Sequence, residues 1–165
     1  RLEIIGEGEL EAAVRARIAA LGLGERVQLL GGRGHDFVAA RMSAAAIYMQ
    51  HSVTAADGNT EGVPTAIQEA MAAGAAVVST RHAGIPEVVV DGETGLLVDE
   101  HDAQAHAAGL LRLAADSALR QRLASAAHRF AQSELDVTKL HARLERAIVD
   151  AIERRRASGR DSVAR

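Results

Sequence analysis

The chain alternates short apolar runs with longer segments whose apolar residues recur at helical spacing. The short runs are bounded by polar or glycine-rich turns, which is typical of buried strands. These predicted strands cover residues 2–5, 27–30, 46–50, 76–79 and 95–98. Amphipathic helices are predicted between them, over 9–21, 36–45 and 64–73. Because strands that alternate with helices pair in parallel through right-handed crossovers, the pattern predicts an α/β fold, a doubly wound, Rossmann-like parallel sheet with helices on both faces.

After residue 98 the pattern is helical only. Three helices, forming a C-terminal helical annex, are predicted over 102–115, 117–132 and from 137 to about 155. We therefore expect a partial Rossmann-like domain over residues 1–133, a C-terminal helix over 134–153 and a disordered tail over 154–165, which mixes arginine with polar residues and lacks apolar periodicity. The chain enters its first strand at residue 2 without an initial methionine, and we expect it to be a piece of a longer protein.

Composition then narrows the classes of function. The formal net charge is −3, so no general attraction to nucleic-acid phosphates or anionic lipids is expected. Aromatic residues make up only 2% of the chain, too few to provide stacking platforms for single-stranded nucleic acid. The chain contains no cysteine, which excludes thiol nucleophiles and Cys-ligated zinc. Since His101 and His106 share a helical face poorly, we predict no metal site.

Two glycine-rich loops follow the first two predicted strands. The first begins a dinucleotide fingerprint with Gly6 and Gly8, but Glu11 stands where the third glycine is needed, so we interpret it as a tight strand-to-helix turn. The second contains Gly31, Gly32 and Arg33. Its glycines favour close approach of the backbone to a flat ligand. Arg33 is consistent with contact to a phosphate and with simple solvation.

The loop after the third strand leads into a helix that lacks a capping side chain. Pro64 is predicted at the first helical position, and Val63 before it has no group that can accept from the free amides. The backbone N–H groups around Gly62, Val63, Thr65 and Ala66 are therefore expected to be free. Together with the positive end of the helix dipole they predict an anion site that a diphosphate would fit.

Two glutamates flank this predicted anion site. Glu69 lies one helical turn beyond Thr65, where a carboxylate can accept from both hydroxyls of a ribose whose phosphates sit on the helix end. Glu61 precedes the helix and would face a group carried on the other side of the phosphates. The spacing of Glu61 and Glu69 is equally consistent with both being ordinary solvent-exposed charges. His51, at a strand end, is equally consistent with contact to a leaving group and with a structural role.

These residues resemble the E-x7-E signature of retaining family 4 glycosyltransferases (glycosyl transferases group 1). The signature runs from Glu61 through Pro64 to Glu69. Two further blocks, residues 84–87 and 91–98, follow in the family's order and spacing. The region from His51 to the insertion at residues 57–58 is similar to the branch that builds exopolysaccharides of the colanic-acid type. The resemblance covers roughly residues 2–115.

The resemblance implies the carboxyl-terminal, donor-binding half of a GT-B enzyme. Such a half helps to transfer a hexose, with retention and without a bound metal or other cofactor, from a nucleotide diphosphate sugar such as a UDP-sugar or GDP-sugar. The acceptor would be a growing polysaccharide or a glycolipid, held by an N-terminal acceptor domain without which the fragment is inactive. The implied location is cytoplasmic, including peripheral attachment at the inner face of the membrane.

The same resemblance implies a role for each candidate residue. Glu61 would be the catalytic residue at the donor sugar, and Glu69 would contact the ribose. The amides from Gly62 through Val63 and Pro64 to Thr65 would hold the phosphates. Residues 31–33 would border the base, and Ser52 falls where the family has a serine after its fourth conventional strand.

The family's first βα unit, which clamps the diphosphate with a Gly-Arg loop and a lysine, is missing from this chain, whose only lysine is Lys139. Its strand is the central one in the order 3-2-1-4-5-6, so the strands at residues 2–5 and 46–50 would flank a vacancy. Unpaired backbone inside a sheet is costly. Either these two strands close onto each other, or a partner fills the slot, which would allow self-association.

Three other functions are alternatives to that of a transferase. A non-catalytic nucleotide-binding or interaction module, and a sugar-nucleotide epimerase, are both compatible with the same scaffold. A dinucleotide-dependent dehydrogenase is disfavoured by Glu11 in the first glycine loop.

Overall fold

The structure, a computed structural model, describes residues 1–161 and forms two compact units. The first unit is Arg1–Ala45, and the second begins at Ala46. Within the described residues the elements are five strands and seven helices. Their order is the one expected from the sequence, except that the short helix Ile85–Val88 was not predicted. The α/β fold with parallel strands is therefore confirmed.

The first unit contains two strands and two helices. These are β1 (Leu2–Ile4), α1 (Glu11–Ala20), β2 (Val27–Leu29) and α2 (His35–Ala44). Strand β1 pairs in parallel with β2, with Leu2 opposite Val27. Met42 is the one buried residue on these elements. The unit therefore has little core of its own.

The second unit carries a three-stranded parallel sheet in the order β3-β4-β5. Its strands are β3 (Ile47–Met49), β4 (Ala76–Thr80) and β5 (Gly95–Val98). The helices are α3 (Thr65–Ala72), α4 (Ile85–Val88), α5 (Ala103–Ala115), α6 (Ser117–Glu134) and α7 (Val137–Asp161). Asp102 and Asp116 cap α5 and α6 by accepting from the amides of Ala105 and Leu119.

The core of the second unit is built around β4, all of whose residues are buried. Ala76 and Val78 of β4 cluster with Leu96 of β5 and with leucines of α5 and α6, which are Leu113, Leu119 and Leu123. Val89 lies against Gly95, where a Cβ would come within 2.6 Å of it, so only glycine fits there. Truncating a fully buried leucine of such a core costs about 2–5 kcal/mol.

Within each unit the strands pair in parallel, β1 with β2 in the first unit and β3 with β4 in the second. Both alternatives for the vacancy between β1 and β3, closure of these two strands onto each other and filling of the slot by a partner, stay predictions.

Helix α7 extends further than the sequence indicated. It runs to Asp161 rather than ending near residue 155, so residues 154–161 of the predicted tail are helical. Four of these eight residues are arginine, a strong helix former that can continue a helix without apolar periodicity. The rest of the predicted tail lies outside the described residues.

One side of α7 carries an exposed apolar stripe. Its members recur every three or four residues and are between 41% and 62% exposed, namely Val137, Leu140, Leu144, Ile148 and Ile152. From Val137 to residue 158 no side chain is buried. None of the helices in the described part of the chain has the length and apolarity needed to traverse a bilayer.

Two histidines connect the end of β3 to α5. His106 is 3% exposed, and its Nε2 lies 3.3 Å from the Val78 carbonyl oxygen. Its Nδ1 lies 3.3 Å from Nδ1 of His51, whose Nε2 accepts from the amide of His101 at 3.2 Å. These contacts fit two neutral rings, with His106 donating to Val78 and His51 donating to His106. His51 therefore has a structural role in packing α5.

Acid is expected to weaken this packing. Burial lowers the pKa of His106 below its usual value. The hydrogen bond to Val78 opposes this shift, and the nearby His51 adds to it. In the unfolded chain His106 is protonated below about pH 6.5, whereas in the folded chain it is protonated only at lower pH. The free energy of unfolding therefore decreases as the pH falls below about 6.5. Urea unfolding between about pH 6.5 and 5 should show a smaller pH dependence for His106→Gln than for wild type. An unchanged dependence would contradict this assignment.

Removing α7 is expected to change the stability of the second unit very little. The helix has no buried side chain, and its described links to α6 are exposed contacts of Arg143 with Glu134 and of Lys139 with carbonyl groups. Exposed ion pairs contribute about 0–1 kcal/mol. Truncation before Val137 should therefore shift the free energy of unfolding, measured with urea, by less than about 1 kcal/mol. A loss of several kcal/mol would show that the stripe is packed.

Candidate functional site

The candidate site lies at the carboxyl ends of β3 and β4. Residues 50–64 connect β3 to α3, and residues 81–84 connect β4 to α4. In a parallel sheet these ends meet at one edge, where ligands of open α/β folds bind. Both loops belong to the second unit.

The N-terminus of α3 carries no capping side chain, as the sequence predicts. The helix begins at Thr65, and Pro64 is its N-cap rather than its first helical residue, with an extended ψ of 125°. This one-residue difference arises because Pro64 turns the chain into the helix, while its carbonyl already accepts from the amide of Ile67. Among residues 1–161 the amides of Gly62, Val63, Thr65 and Ala66 donate no hydrogen bond.

The buried side of α3 fixes this end in space. Ile67, Ala70 and Met71 are fully buried, and Gly74 ends the helix with a φ of +82°. Pro64 is buried as well. The free amides are therefore held on a rigid element rather than on a mobile loop.

Glu69 lies on the exposed side of α3, one turn beyond Thr65. Its carboxylate accepts no hydrogen bond within the described part of the chain. The pKa of Tyr48 on β3 is raised to about 12 by burial first, and then by the negative charges of Glu69 and Glu61. Both carboxylates therefore act on one region beside β3.

Gln50 links Glu61 to Ser52, and sequence reasoning missed it. Its side-chain amide donates to Ser52 Oγ at 3.1 Å and lies 3.5 Å from Glu61 Oε1. Its amide oxygen accepts from the Tyr48 hydroxyl at 2.7 Å, which orients the group. Ser52 is buried. The position of Gln50, a polar residue at the end of a predicted strand, is the signal that could have identified it.

The end of β4 holds the loop that carries these residues. Ser79 donates through its hydroxyl to the Gln50 carbonyl oxygen at 2.9 Å, and Thr80 donates to the Ser52 carbonyl oxygen at 2.6 Å. Both side chains are fully buried. Because a buried hydrogen bond is costly to leave unmade, the first part of the loop is fixed to β4.

A second residue that the sequence did not reveal, Glu100, anchors the same loop further along. It accepts from the amide of Thr54 at 2.7 Å and pairs with Nδ1 of the buried His82 at 2.7 Å. The amide of Thr54 and then His82 hold the pKa of Glu100 below its usual value. Glu100 follows the last strand closely, which is the one sequence signal that it carries.

The glycine loops of the first unit behave differently from one another. Glu7 Oε1 accepts from the amide of Gly32 at 3.2 Å, and Gly6 donates to the Gly31 carbonyl oxygen at 3.0 Å, so the first loop is a turn bonded to the second. Arg33 is exposed, donates to the Leu30 carbonyl oxygen at 2.8 Å and stacks 5.3 Å from the ring of Phe37.

The second unit thus brings Ser52, Glu61 and Glu69 together with the free amides of residues 62–66. Gly31, Gly32 and Arg33 lie on the first unit, and their part in the same site stays a prediction. Chemically, the arrangement suits an anion bound at the start of α3 and hydroxyl groups that donate to the two carboxylates. No cluster of three or more potential metal ligands is present in residues 1–161.

Comparison with known proteins identifies relatives over most of the chain. The family described as "Glycosyl transferases group 1" matches residues 1–130. The amylovoran biosynthesis glycosyltransferase AmsK of Erwinia amylovora is 46% identical over 110 residues, covering 67% of this chain and 27% of that protein. The putative colanic acid biosynthesis glycosyltransferase WcaL of Escherichia coli K12 is 44% identical over 119 residues, covering 72% of this chain. The chain spans 27% and 29% of the lengths of these two relatives.

Solved structures agree with this placement. Anabaena Alr3699/HepE, crystallised in complex with UDP-glucose, is 26% identical with a TM-score of 0.76 and covers 90% of this chain and 40% of that one. The C-terminal domain of the group 1 glycosyl transferase LpcC from Francisella tularensis shares the fold, with 24% identity, a TM-score of 0.69 and coverage of 78% of this chain and 64% of that one. From the family match over residues 1–130 and these relatives, the chain belongs to the glycosyl transferases group 1 family.

Proposed function

We propose that this chain is the donor-binding half of a glycosyltransferase that moves a hexose, with retention, from a nucleotide diphosphate sugar to a polysaccharide or glycolipid acceptor. The observation that carries the proposal is the uncapped N-terminus of α3, with four free amides between Glu61 and Glu69. The relatives named for amylovoran and colanic acid biosynthesis support a saccharide product. They also favour a transferase over a non-catalytic module or an epimerase.

The diphosphate would bind at the start of α3. The free N–H groups of residues 62–66 donate to its oxygens, and the helix dipole adds about 0.3–1 kcal/mol, or up to about 2 kcal/mol in a partly buried site. The chain has no lysine near this end, so backbone donors supply this part of the site. The neighbour crystallised with UDP-glucose supports a nucleotide-sugar ligand, and we propose UDP or GDP as the nucleotide.

Glu69 would hold the ribose and Glu61 the transferred sugar. At about 1.5 Å of rise per residue, Glu69 lies about 6 Å along the axis from Thr65, which would place it beside the ribose of a nucleotide whose diphosphate binds at the start of α3. Glu61 stands before the helix and is steadied by Gln50. Ser52 supports Glu61 indirectly, through its hydrogen bond with Gln50. We propose that Gly31, Gly32 and Arg33 border the base.

Catalysis would depend on positioning and charge rather than on a protein nucleophile. The acceptor hydroxyl attacks the anomeric carbon from the face that the diphosphate leaves, and the departing phosphate oxygen takes the hydroxyl proton. The amides at α3 stabilise the charge that grows on the leaving group. Retention follows because bond formation and cleavage occur on the same face.

The acceptor and the location complete the proposal. We propose that the acceptor binds to a separate N-terminal region of the longer protein. A cytoplasmic site of action, including the inner face of the membrane, matches the place where nucleotide sugars are available.

Replacement of Glu69 by alanine is expected to weaken nucleotide binding. The ribose would lose two charge-assisted hydrogen bonds of about 1.5–3 kcal/mol each, which predicts a loss of UDP affinity of about a hundredfold or more. Calorimetric titration with UDP and GDP measures it. Glu25→Ala, an exposed glutamate in the first unit, is the matched control. Unchanged affinity in Glu69→Ala would remove Glu69 from the site.

Glu61→Gln is expected to reduce turnover more than nucleotide affinity. The amide keeps the size of the side chain but lacks the charge that faces the transferred sugar, so kcat should fall about a hundredfold while UDP affinity changes little. Steady-state kinetics of the natural full-length protein and UDP calorimetry separate the two quantities. Equal losses in both would contradict the role assigned to Glu61.

A further inference from the structure

Gly84 lies in direct contact with the residues that lead into α3. It is the N-cap of α4, and its amide donates to the Gly62 carbonyl oxygen at 3.2 Å. A Cβ built on Gly84 would come within 2.7 Å of Val63 Cγ2 and 3.4 Å of the Gly62 carbonyl oxygen. The φ of Gly84 is −83°, which any residue adopts, so close approach rather than backbone conformation requires glycine here.

Val63 cannot easily move out of the way. Its β-branched side chain has few χ1 rotamers, and it is half-buried next to the buried Pro64, whose ring fixes φ. A side chain at position 84 would therefore push the backbone of residues 62–64 rather than only a methyl group. That backbone carries the first of the free amides and sets where α3 begins.

The Gly84 side of the contact is equally constrained. Arg81 donates from its amide to the Val98 carbonyl oxygen at 2.7 Å, and the buried His82 pairs with Glu100. Ala83, which precedes Gly84, has a φ of +42°. This conformation costs a non-glycine residue about 1–3 kcal/mol and persists only where the surrounding structure imposes it. The loop therefore presents Gly84 to Gly62 and Val63 on a fixed support.

We propose that Gly84 is a positioning residue for the anion site at α3. Its missing side chain lets Val63 and Gly62 approach the β4–α4 loop, and this approach sets the direction of the amides of Val63, Thr65 and Ala66. The inference deepens the proposed function and rests on it, because those amides are the ones assigned to the diphosphate. The family's second sequence block, which begins at Gly84, thereby acts on the first without touching the ligand.

Two alanine substitutions in the 165-residue chain test the contact, with UDP as the probe. Gly84→Ala should shift the amide resonances of Thr65 and Ala66 in nitrogen-15 NMR spectra and weaken UDP binding about fivefold to tenfold, the loss expected from misdirected donors at a helix end. Val63→Ala removes the methyl group in question. The double variant should then bind UDP less than about twofold more weakly than Val63→Ala alone, since the two changes are coupled through one contact.

Gly24→Ala is the matched control, because a Cβ there meets nothing within 4 Å and its φ is not positive. Unchanged amide resonances and affinity in Gly84→Ala overturn the proposal, as does an affinity loss on adding Gly84→Ala to Val63→Ala that equals the loss on adding it to wild type. If Gly84→Ala fails to fold, recovery of folding and binding by Val63→Ala supports it, and failure of the double variant overturns it. If the wild-type chain does not bind UDP, the proposed function fails, and the amide resonances of the variants alone decide whether Gly84 positions α3.

Discussion

The open amino end of α3 is the constraint on which the rest of the site depends. A helix normally satisfies its first amides with a side chain, but the two residues that precede this helix, Val63 and Pro64, have no side-chain acceptor. The fold accepts free donors here because the rest of the helix is firmly packed, with Ile67 and Met71 fully buried. Donors that stay free on a rigid support are what an anionic ligand needs.

Strand β4 determines where those donors point. Its buried hydroxyl groups, on Ser79 and Thr80, bind the beginning of the long loop, and the loop after β4 binds its end through Gly84 and Gly62. Glu100 fixes the middle through Thr54. The site is thus assembled from one buried strand outward, and the exposed glutamates are carried on a backbone that is held at three places.

The sequence predicted the alternation of strands and helices, the uncapped helix and the two glutamates from local pattern alone. It did not predict Gln50 or Glu100, because each acts through a partner that is distant in sequence. It did not predict the close approach of Gly84 to Val63 either, because these two residues are also distant in sequence. The end of α7 was placed too early, since arginine-rich helix can continue without the apolar periodicity that marks a packed one.

The two units differ in how firmly they hold their loops. The first unit buries little besides Met42, so the loop of residues 31–33, which we propose borders the base, has no packed core beneath it. In the second unit the loop backbone is bonded to β4, and α3 is packed through buried residues. A crystal structure of the chain with UDP is the most direct test of anion binding at α3. We predict phosphate oxygens about 3 Å from the amide nitrogens of Thr65 and Ala66, with the ribose beside Glu69. A bound UDP whose phosphates lie away from α3, with both glutamates facing solvent, would contradict it.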